Sequence, residues 1–568
     1  MISETAKTSF LEEYFNNSYS NNDLFGFNPG LEQNWKTFFT SFSNLGNEEI
    51  MNRSQDMMRF LKENGVTYNI YGDPSGMNRP WNLDIIPFLV SKEEWAVIEA
   101  GLIQRANLFD LILKDIYGEQ RLIKEGILPM EIIYNHRGFL RECCGIKLPG
   151  KHNLVVYAAD MARSYDGKIW ILNDRTQAPS GSGYALENRL AMARIVPELF
   201  NGLKVRRLSP YYNALRTSLT EIAPHQNQYP RIVILTPGPS NETYFEHSFL
   251  SSHLGFTLVQ GDDLMVKDNY VWLKTLGGLE KVDVILRRMD DIYCDPLELK
   301  SDSLLGVPGL LQVIRKGNVA IANPLGSSVV ENAGLVPFLP AVAKHFLGTD
   351  LLTPSIATWW CGQAKEMQYV IDNIKQLVVR RIFRHSSGRS TIDGASLSPL
   401  GIAKLIDDIK ANPYLYVGQE KINFSSTPYM QDGKLQAGHS LIRSFLVSHN
   451  NSYVAMPGGL TRSSPAESSF VISNQSGGIS KDTWVLSSGD EHEQSVKLQL
   501  KTDDTPATLH KRALPSHTAE NLFWVGRYGE RTIALAKFLR ILLNALNENV
   551  HFRGPFKTEY IQILLSSL

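Results

Sequence analysis

Acids and arginines stand close together at four places in the chain: Asp160 with Arg163, Asp174 with Arg175, Glu187 with Arg189, and Arg287 and Arg288 with Asp290 and Asp291. Carboxylates hold Mg²⁺ through hard oxygen ligands and arginines clamp phosphate oxygens, so this mixture suits magnesium nucleotide chemistry. The same clusters suit structural ion pairs equally well. In QAPSGSGYALENR (177–189) a Pro-Ser-Gly turn places Ser180 and Gly181 just before a helix start, where exposed N–H groups would cradle an anion, although an ordinary glycine-rich loop is the plainer reading. Arg380, Arg381, Arg384, His385 and Arg389 form the densest basic run, as a phosphate-covering lid would, or a solvated basic strand. Asn241, Tyr244, Glu246 and His247 follow a strand and would form a polar pocket for an amine or carboxylate, with His247 alternatively a satisfied helix histidine. Cys361, beside Trp359 and Trp360, reads as core rather than nucleophile. P-loop, G-x-G-x-x-G and H-E-x-x-H signatures are absent.

The elements that must position these residues belong to a chain of 568 residues, enough for about three or four domains. Hydrophobic residues make up 43%, so most of the length should fold. Lys and Arg number 57 against 58 Asp and Glu, a balance that gives no global field for nucleic acid or an anionic membrane. Four cysteines in neither a disulfide nor a zinc spacing, an acidic N-terminus and no long apolar run point to a soluble cytoplasmic protein.

Residues 1–65 read as a cap of short helices, followed by a helix opened by a Ser91/Glu94 capping box, with Trp95, Ile98, Leu102, Phe109, Leu113 and Ile116 on one face. LVVYAADMARSYDGKIWILND (154–174) reads as a hairpin about a two-residue Asp166-Gly167 turn, in which Asp160 faces Asn173, Arg163 faces Trp170 and Arg175 lies on the Asp160 side. From about 230 strands and helices alternate as in a parallel α/β sheet, with TPGPSNE, RRMDD and NPLGSS as loops at carboxyl strand ends. A further α/β section runs to about 486, 487–513 reads as a charged linker, and the last segment is an amphipathic helix with Leu522, Val525, Tyr528, Ile533, Ala536 and Leu539 broadly on one face.

Long strings carry a family likeness: RPWNLDIIP, DRTQAPSGSGYALENR, LTPGPSNETYFEH, DVILRRMDD, DPLELKSDSLLGVPGL, PSIATWWCGQ, VGQE, MPGGLTR and GGISKDTWVL, with LPSHTAENLFWVGRYGER at 514–531. The chain resembles the circularly permuted type 2 ATP-grasp family in its long form, which continues into an alpha-E helical domain, of which 514–568 looks like a part. The resemblance implies an α/β (α+β) permuted ATP-grasp fold: one ATP-grasp half with the metal-site hairpin over 66–225, an inserted Rossmann-like pre-ATP-grasp substrate domain over 226–348, and a second half with the phosphate lid and adenine side over 349–486.

The implied activity is an ATP- and Mg²⁺-dependent carboxylate-amine or carboxylate-thiol ligase acting on a small peptide or amino acid through an acyl phosphate. On that reading Asp160, Asn173 and Asp174 serve the metal, and Arg380, Arg381, Gln419, Glu420, Ser180 and Gly181 the nucleotide. Arg163, Arg189, Arg287, Arg288 and Arg443 are the catalytic cations, and Asn241, Tyr244, Glu246, His247, Asp290 and Asp291 line the substrate side. Related hairpins put Glu opposite the first acid and Asn two residues later, where this chain has Asn173 and Arg175. An amide ligates Mg²⁺ weakly and a guanidinium not at all, so either Asp174 reaches the metal through a bulge or metal binding is reduced. A catalytically weak or inactive ATP-binding scaffold, with the alpha-E segment as its protein-binding element, is the alternative.

Overall fold

The computed structural model of the chain describes residues 23, 29–69, 79–383, 391–431, 433–465, 478–487, 516–552 and 562–563. Of the expected basic lid, Arg384, His385 and Arg389 lie outside the described residues, as does nearly all of the 487–513 linker. One large sheet carries the hairpin. β1 (Val156–Arg163) pairs antiparallel with β2 (Ile169–Arg175) on one side and with the long β3 (Lys434–His449) on the other. β3 pairs in turn with β4 (Leu460–Pro465), β4 with β5 (Ile479–Val485), and β5 runs parallel to the strand Phe88–Val90. Ser426–Gln431 and Ser452–Ala455 also pair with β3, making eight strands.

Side chains alternate across a strand, so each residue of β1 is committed to one face by its position. Tyr157, Ala159 and Met161 enter a core with Ile98, Leu102, Phe109, Leu113 and Ile116 of α1 (Lys92–Tyr117), the stripe expected from the helical period. Ala158 lies in a second core, closed by α2 (Ser182–Ile195), the helices Pro29–Leu45 and Ser209–Glu221, and Trp484 of β5. The N-terminal helices are 17 residues each rather than short, and their Trp35, Phe38 and Phe42 join that core. Each such buried aromatic contributes roughly 1.5–3 kcal/mol.

Ser91 caps α1 by accepting from the Glu94 N–H at 3.2 Å, but the reciprocal half of the capping box does not form, because the Glu94 carboxylate pairs with Arg163. The hairpin turn also differs from expectation. Ser164 and Lys168 flank three residues, Tyr165, Asp166 and Gly167, and only Gly167 takes a positive φ, 79°. A bulge after Asp160 keeps Asp160 opposite Asn173 but puts Arg163 opposite Ile169, not Trp170.

The inserted section is a four-stranded parallel sheet in the order Ala320–Ala322, Val284–Arg287, Ile232–Leu235, Thr257–Val259, with the helix Tyr244–Leu254 between the last two strands. The following section is an antiparallel sheet in the order Thr358–Trp360, Tyr416–Glu420, Leu377–Arg381, Thr391–Asp393, and the helix Pro399–Ala411 closes its small core. Cys361 is buried there, and burial pushes its thiol up to about 12. The α/β architecture thus follows the expected class.

A second compact unit comprises 273–280 and 509–568. Its helix Ser516–Phe552 exposes Leu522, Val525, Tyr528, Ile533 and Leu539. No described helix is long and apolar enough to cross a membrane.

Candidate functional site

Asp160 lies on one face of the large sheet, 2% exposed. Arg443, its register partner on β3, donates Nε to Oδ1 at 2.6 Å and Nη2 to Oδ2 at 3.1 Å. Arg175, two residues past Asn173 and so on the same face, donates Nε and Nη2 to Oδ2 at 3.1 and 2.9 Å. Burial alone would raise the carboxyl pKa, but Arg443 and Arg175 outweigh it and hold Asp160 far below the usual carboxylate range. Asn173 turns its amide nitrogen to Asp160 at 3.4 Å and its carbonyl oxygen to Arg380. Arg380 also donates to Gln419 Oε1 at 2.9 Å, and Gln419 donates to Thr358 Oγ1 at 3.1 Å. Asp160, Asn173, Arg443, Arg380 and Gln419 therefore converge from the large sheet and the following one, and Ser180 joins through its carbonyl, which accepts from Arg443 at 3.0 Å.

The donor set does not fit a magnesium ion. A hard cation needs oxygen ligands with free lone pairs, whereas both Asp160 oxygens and the Asn173 carbonyl already accept from guanidinium groups. Asp174 cannot take their place. One residue from Asn173, it points through the sheet to the α1 face, where Arg105 binds both its oxygens at 2.6 and 2.8 Å and the Tyr157 hydroxyl donates to it. The bulge falls on the far side of Asn173 and does not turn Asp174 back. Among the described residues no group of three or more His, Cys, Asp or Glu is arranged to hold a metal ion.

Other expected site residues are engaged elsewhere. Arg163, an odd number of residues from Asp160, faces α1 and pairs with Asp23 at 2.6 Å and Glu94 at 2.8 Å, so it is not placed on a phosphate. Arg189 binds Asp482 at 2.7 Å and the carbonyls of Arg206 and Thr483. The Gly-rich turn does cradle an anion, but that anion is Glu246: its Oε1 accepts from the Gly181 and Gly183 N–H groups at 2.7 and 3.0 Å, at the N-terminus of α2. Gly181 lies at φ 118°, and a Cβ there would meet Leu460 at 2.9 Å. Arg288 holds Glu246 Oε2 at 3.3 Å and the Pro179 carbonyl, while Arg287 binds Asp291 and the Gln177 carbonyl. These residues lock the inserted parallel sheet onto the 177–183 loop rather than line an open pocket.

His247 is fully enclosed: the Thr236 hydroxyl donates to Nδ1 at 2.9 Å and Nε2 donates to the Thr243 hydroxyl at 3.1 Å, while burial and then Arg288 keep the ring neutral. Asn241 accepts from the Thr243 N–H and hydroxyl, Tyr244 is partly buried, and Asp290 and Glu420 are exposed. Arg381 stacks its guanidinium 5.5 Å from the Tyr416 ring. Sequence reasoning did not single out Arg105, Thr358, Glu331 or Arg462. Arg462 was the one within reach, because it lies in the string MPGGLTR, two residues past Leu460.

His136 supports the base of the second half. Its Nε2–H donates to the Ile382 carbonyl at 3.2 Å while Nδ1 accepts from the Gly138 N–H at 3.0 Å, so a second ring proton would displace the Gly138 bond. Burial lowers its pKa to about 4. The unfolded chain therefore takes up this proton first, and stability complete at pH 7 is lost as the pH falls below about 6.5, by about 2 kcal/mol at pH 5. Urea midpoints at pH 7 and pH 5 for the parent chain and His136→Asn check this: the parent should lose more on acidification.

Comparison with known proteins accords with this geometry. The family described as circularly permuted ATP-grasp type 2 matches residues 87–464, and the Alpha-E family, an alpha-helical domain with an ER motif, matches 514–568. An uncharacterized protein of Mycobacterium tuberculosis (strain ATCC 25618 / H37Rv) is 36% identical over 518 residues, covering 89% of this chain and 58% of that protein. Another, from Synechocystis sp. (strain ATCC 27184 / PCC 6803 / Kazusa), is 37% identical over 422 residues, 74% of this chain and 88% of its own. The chain thus spans 58% of the length of the mycobacterial relative. Among solved structures, a glutathione synthetase like-effector (GSS30) from Globodera pallida in its apoform aligns with TM-score 0.51 and 12% identity over 77% of this chain and 96% of its own, a likeness of fold. With its two sheet halves meeting at Asp160 and a match through two thirds of its length, the chain belongs to the circularly permuted type 2 ATP-grasp family.

Proposed function

We propose that this chain uses its ATP-grasp cleft to bind ATP as a scaffold, without magnesium-dependent phosphoryl transfer. One observation carries the reading: the acid that should hold the metal is saturated by Arg443 and Arg175. Phosphoryl transfer from ATP relies on a divalent ion bridging the phosphates and neutralising developing charge, and both oxygens of the Asp160 carboxylate are already taken by guanidinium groups. Arg380, Gln419 and Thr358 supply polar groups on the nucleotide side. The alpha-E segment is then the element through which a protein partner would engage the scaffold.

The second reading is a carboxylate-amine ligase working through an acyl phosphate on a small peptide or amino acid. The family favours it, since ATP-grasp proteins are generally ligases and both halves of the fold are present. ADP release from the full chain with MgATP and paired amino-acid or dipeptide acids and amines separates the two. The scaffold gives no release above the enzyme-free rate with any pair. Release that needs both co-substrates and Mg²⁺ establishes the ligase.

A further inference from the structure

We propose that Arg462, with Arg175 and Arg443, forms a metal-free binding site for a phosphate-type oxyanion, three guanidinium groups standing where a magnesium ion does not fit. The inference rests on the reading of this cleft as a ligand site and narrows it to the chemistry of the occupant. Register places the groups together. On β4 Arg462 is opposite Leu441 of β3, while Arg443 is opposite both Leu460 and Asp160, so Asp160, Arg443 and Arg462 share one face. Arg175, opposite Ala158, shares it too.

Charge then sets what the face lacks. Arg443 and Arg175 bind Asp160, Glu331 stands 3.9 Å from Arg175, and Arg462 feels Asp160 only through its field. Glu246, whose field also reaches Arg443, is held by Arg288 and the amides of α2. Tyr68, in the field of Arg462, donates its hydroxyl to Glu242 at 3.0 Å. Arg462 itself makes no ion pair among the described residues, and its Nε is sealed from solvent with no hydrogen-bond partner. Burial and then Arg443 hold its guanidinium down to about 10.

A sealed guanidinium N–H without an acceptor is costly, and arginine does not escape the cost by losing its proton. The missing group is therefore an acceptor with negative charge and several oxygens. A tetrahedral phosphate fits, since arginine forks bind its oxygens in pairs and more than one fork can bind at once. The phosphate can be free, as in an inorganic polyphosphate, or the terminal group of a nucleotide.

The test is calorimetric titration of inorganic tripolyphosphate into the full chain in EDTA, with thermal melts alongside. The expected result is binding without metal, weakened roughly tenfold to a hundredfold in Arg462→Gln, as loss of a charge-assisted contact implies, and partly restored in Arg462→Lys. Without ligand, R462Q should melt no lower than the parent, because it removes an unsatisfied group. Arg175→Gln repeats the binding test on a residue with a different anchor. No metal-free binding, or an R462Q chain that melts lower and binds equally well, overturns the proposal. ATP in EDTA is the second arm: if tripolyphosphate binds and ATP binds no tighter, the oxyanion site stands and the nucleotide reading falls. If ATP binds only with Mg²⁺ and tripolyphosphate not at all, the oxyanion site falls.

Discussion

Asp160→Asn is expected to destabilise the folded chain by about 3–5 kcal/mol, because removing one partner of a buried ion pair leaves the others uncompensated. Arg443 and Arg175 would then share the face with Arg462 and no central carboxylate. Equilibrium urea unfolding measures the loss. An Asp160 whose role was to ligate a metal would behave oppositely: its neutralisation would leave the metal-free chain as stable as before and abolish Mg²⁺ binding. The pH dependence has the matching sign. Because the folded state holds the Asp160 proton far more weakly than the unfolded chain does, the stabilisation is complete above about pH 4 and drains away as the pH falls below it. In Asp160→Asn that part of the acid slope should vanish.

Arg105→Met is expected to cost a similar amount, about 3–5 kcal/mol, by stranding Asp174 at the α1 face. Burial opposes the Arg105 charge, but Asp174 beside it holds the guanidinium well above its usual value, so Arg105 stays charged across the ordinary range. Replacing both partners, as Arg105→Met with Asp174→Leu, should recover most of the loss, since matched apolar groups avoid the desolvation of two charges. The Tyr157 hydroxyl would lose its acceptor and keep recovery below complete. A double-mutant cycle by urea unfolding reads the coupling. Near-zero coupling would contradict the structural role assigned to Asp174 and reopen its place at the metal.

These two results bear on what was legible in the sequence. The hairpin and the opposition of Asp160 to Asn173 followed from alternation, and so did the presence of Arg175 on the acid's face. The same alternation already separated Arg163 from Asp160 and Asp174 from Asn173, since an odd spacing crosses the sheet. The resemblance to related hairpins goes by residue type and not by face, so it admits Arg163 and Asp174 to a site from which their odd spacing excludes them. What alternation could not supply was long-range pairing. Arg105 reaches Asp174 from a helix 69 residues away, and Arg443 reaches Asp160 across 283 residues. Arg462 gains its meaning only when β4 is laid against β3.

The sequence of 177–183 leaves a glycine-rich loop and an anion cradle both open, and it does not show the occupant, because Glu246 is carried by the inserted section. The strands of that section were visible as short apolar runs, for example Ile232–Leu235 and Val284–Arg287. The resemblance makes Arg287 and Arg288 catalytic cations and Asp290 and Asp291 substrate-side residues, whereas burial makes Arg287, Arg288 and Asp291 a lock between sections. A polar residue at a strand end has the same appearance in sequence whether it faces a ligand or another part of the chain.

Charge at Asp160 is balanced by arginines rather than by a metal ion. Calorimetric titration of ATP into the full chain, once with excess Mg²⁺ and once with EDTA, tests it most directly. The account predicts binding in EDTA at least as tight as with Mg²⁺, because the free nucleotide carries more negative charge to the three arginines. Binding that appears only with Mg²⁺ would contradict it.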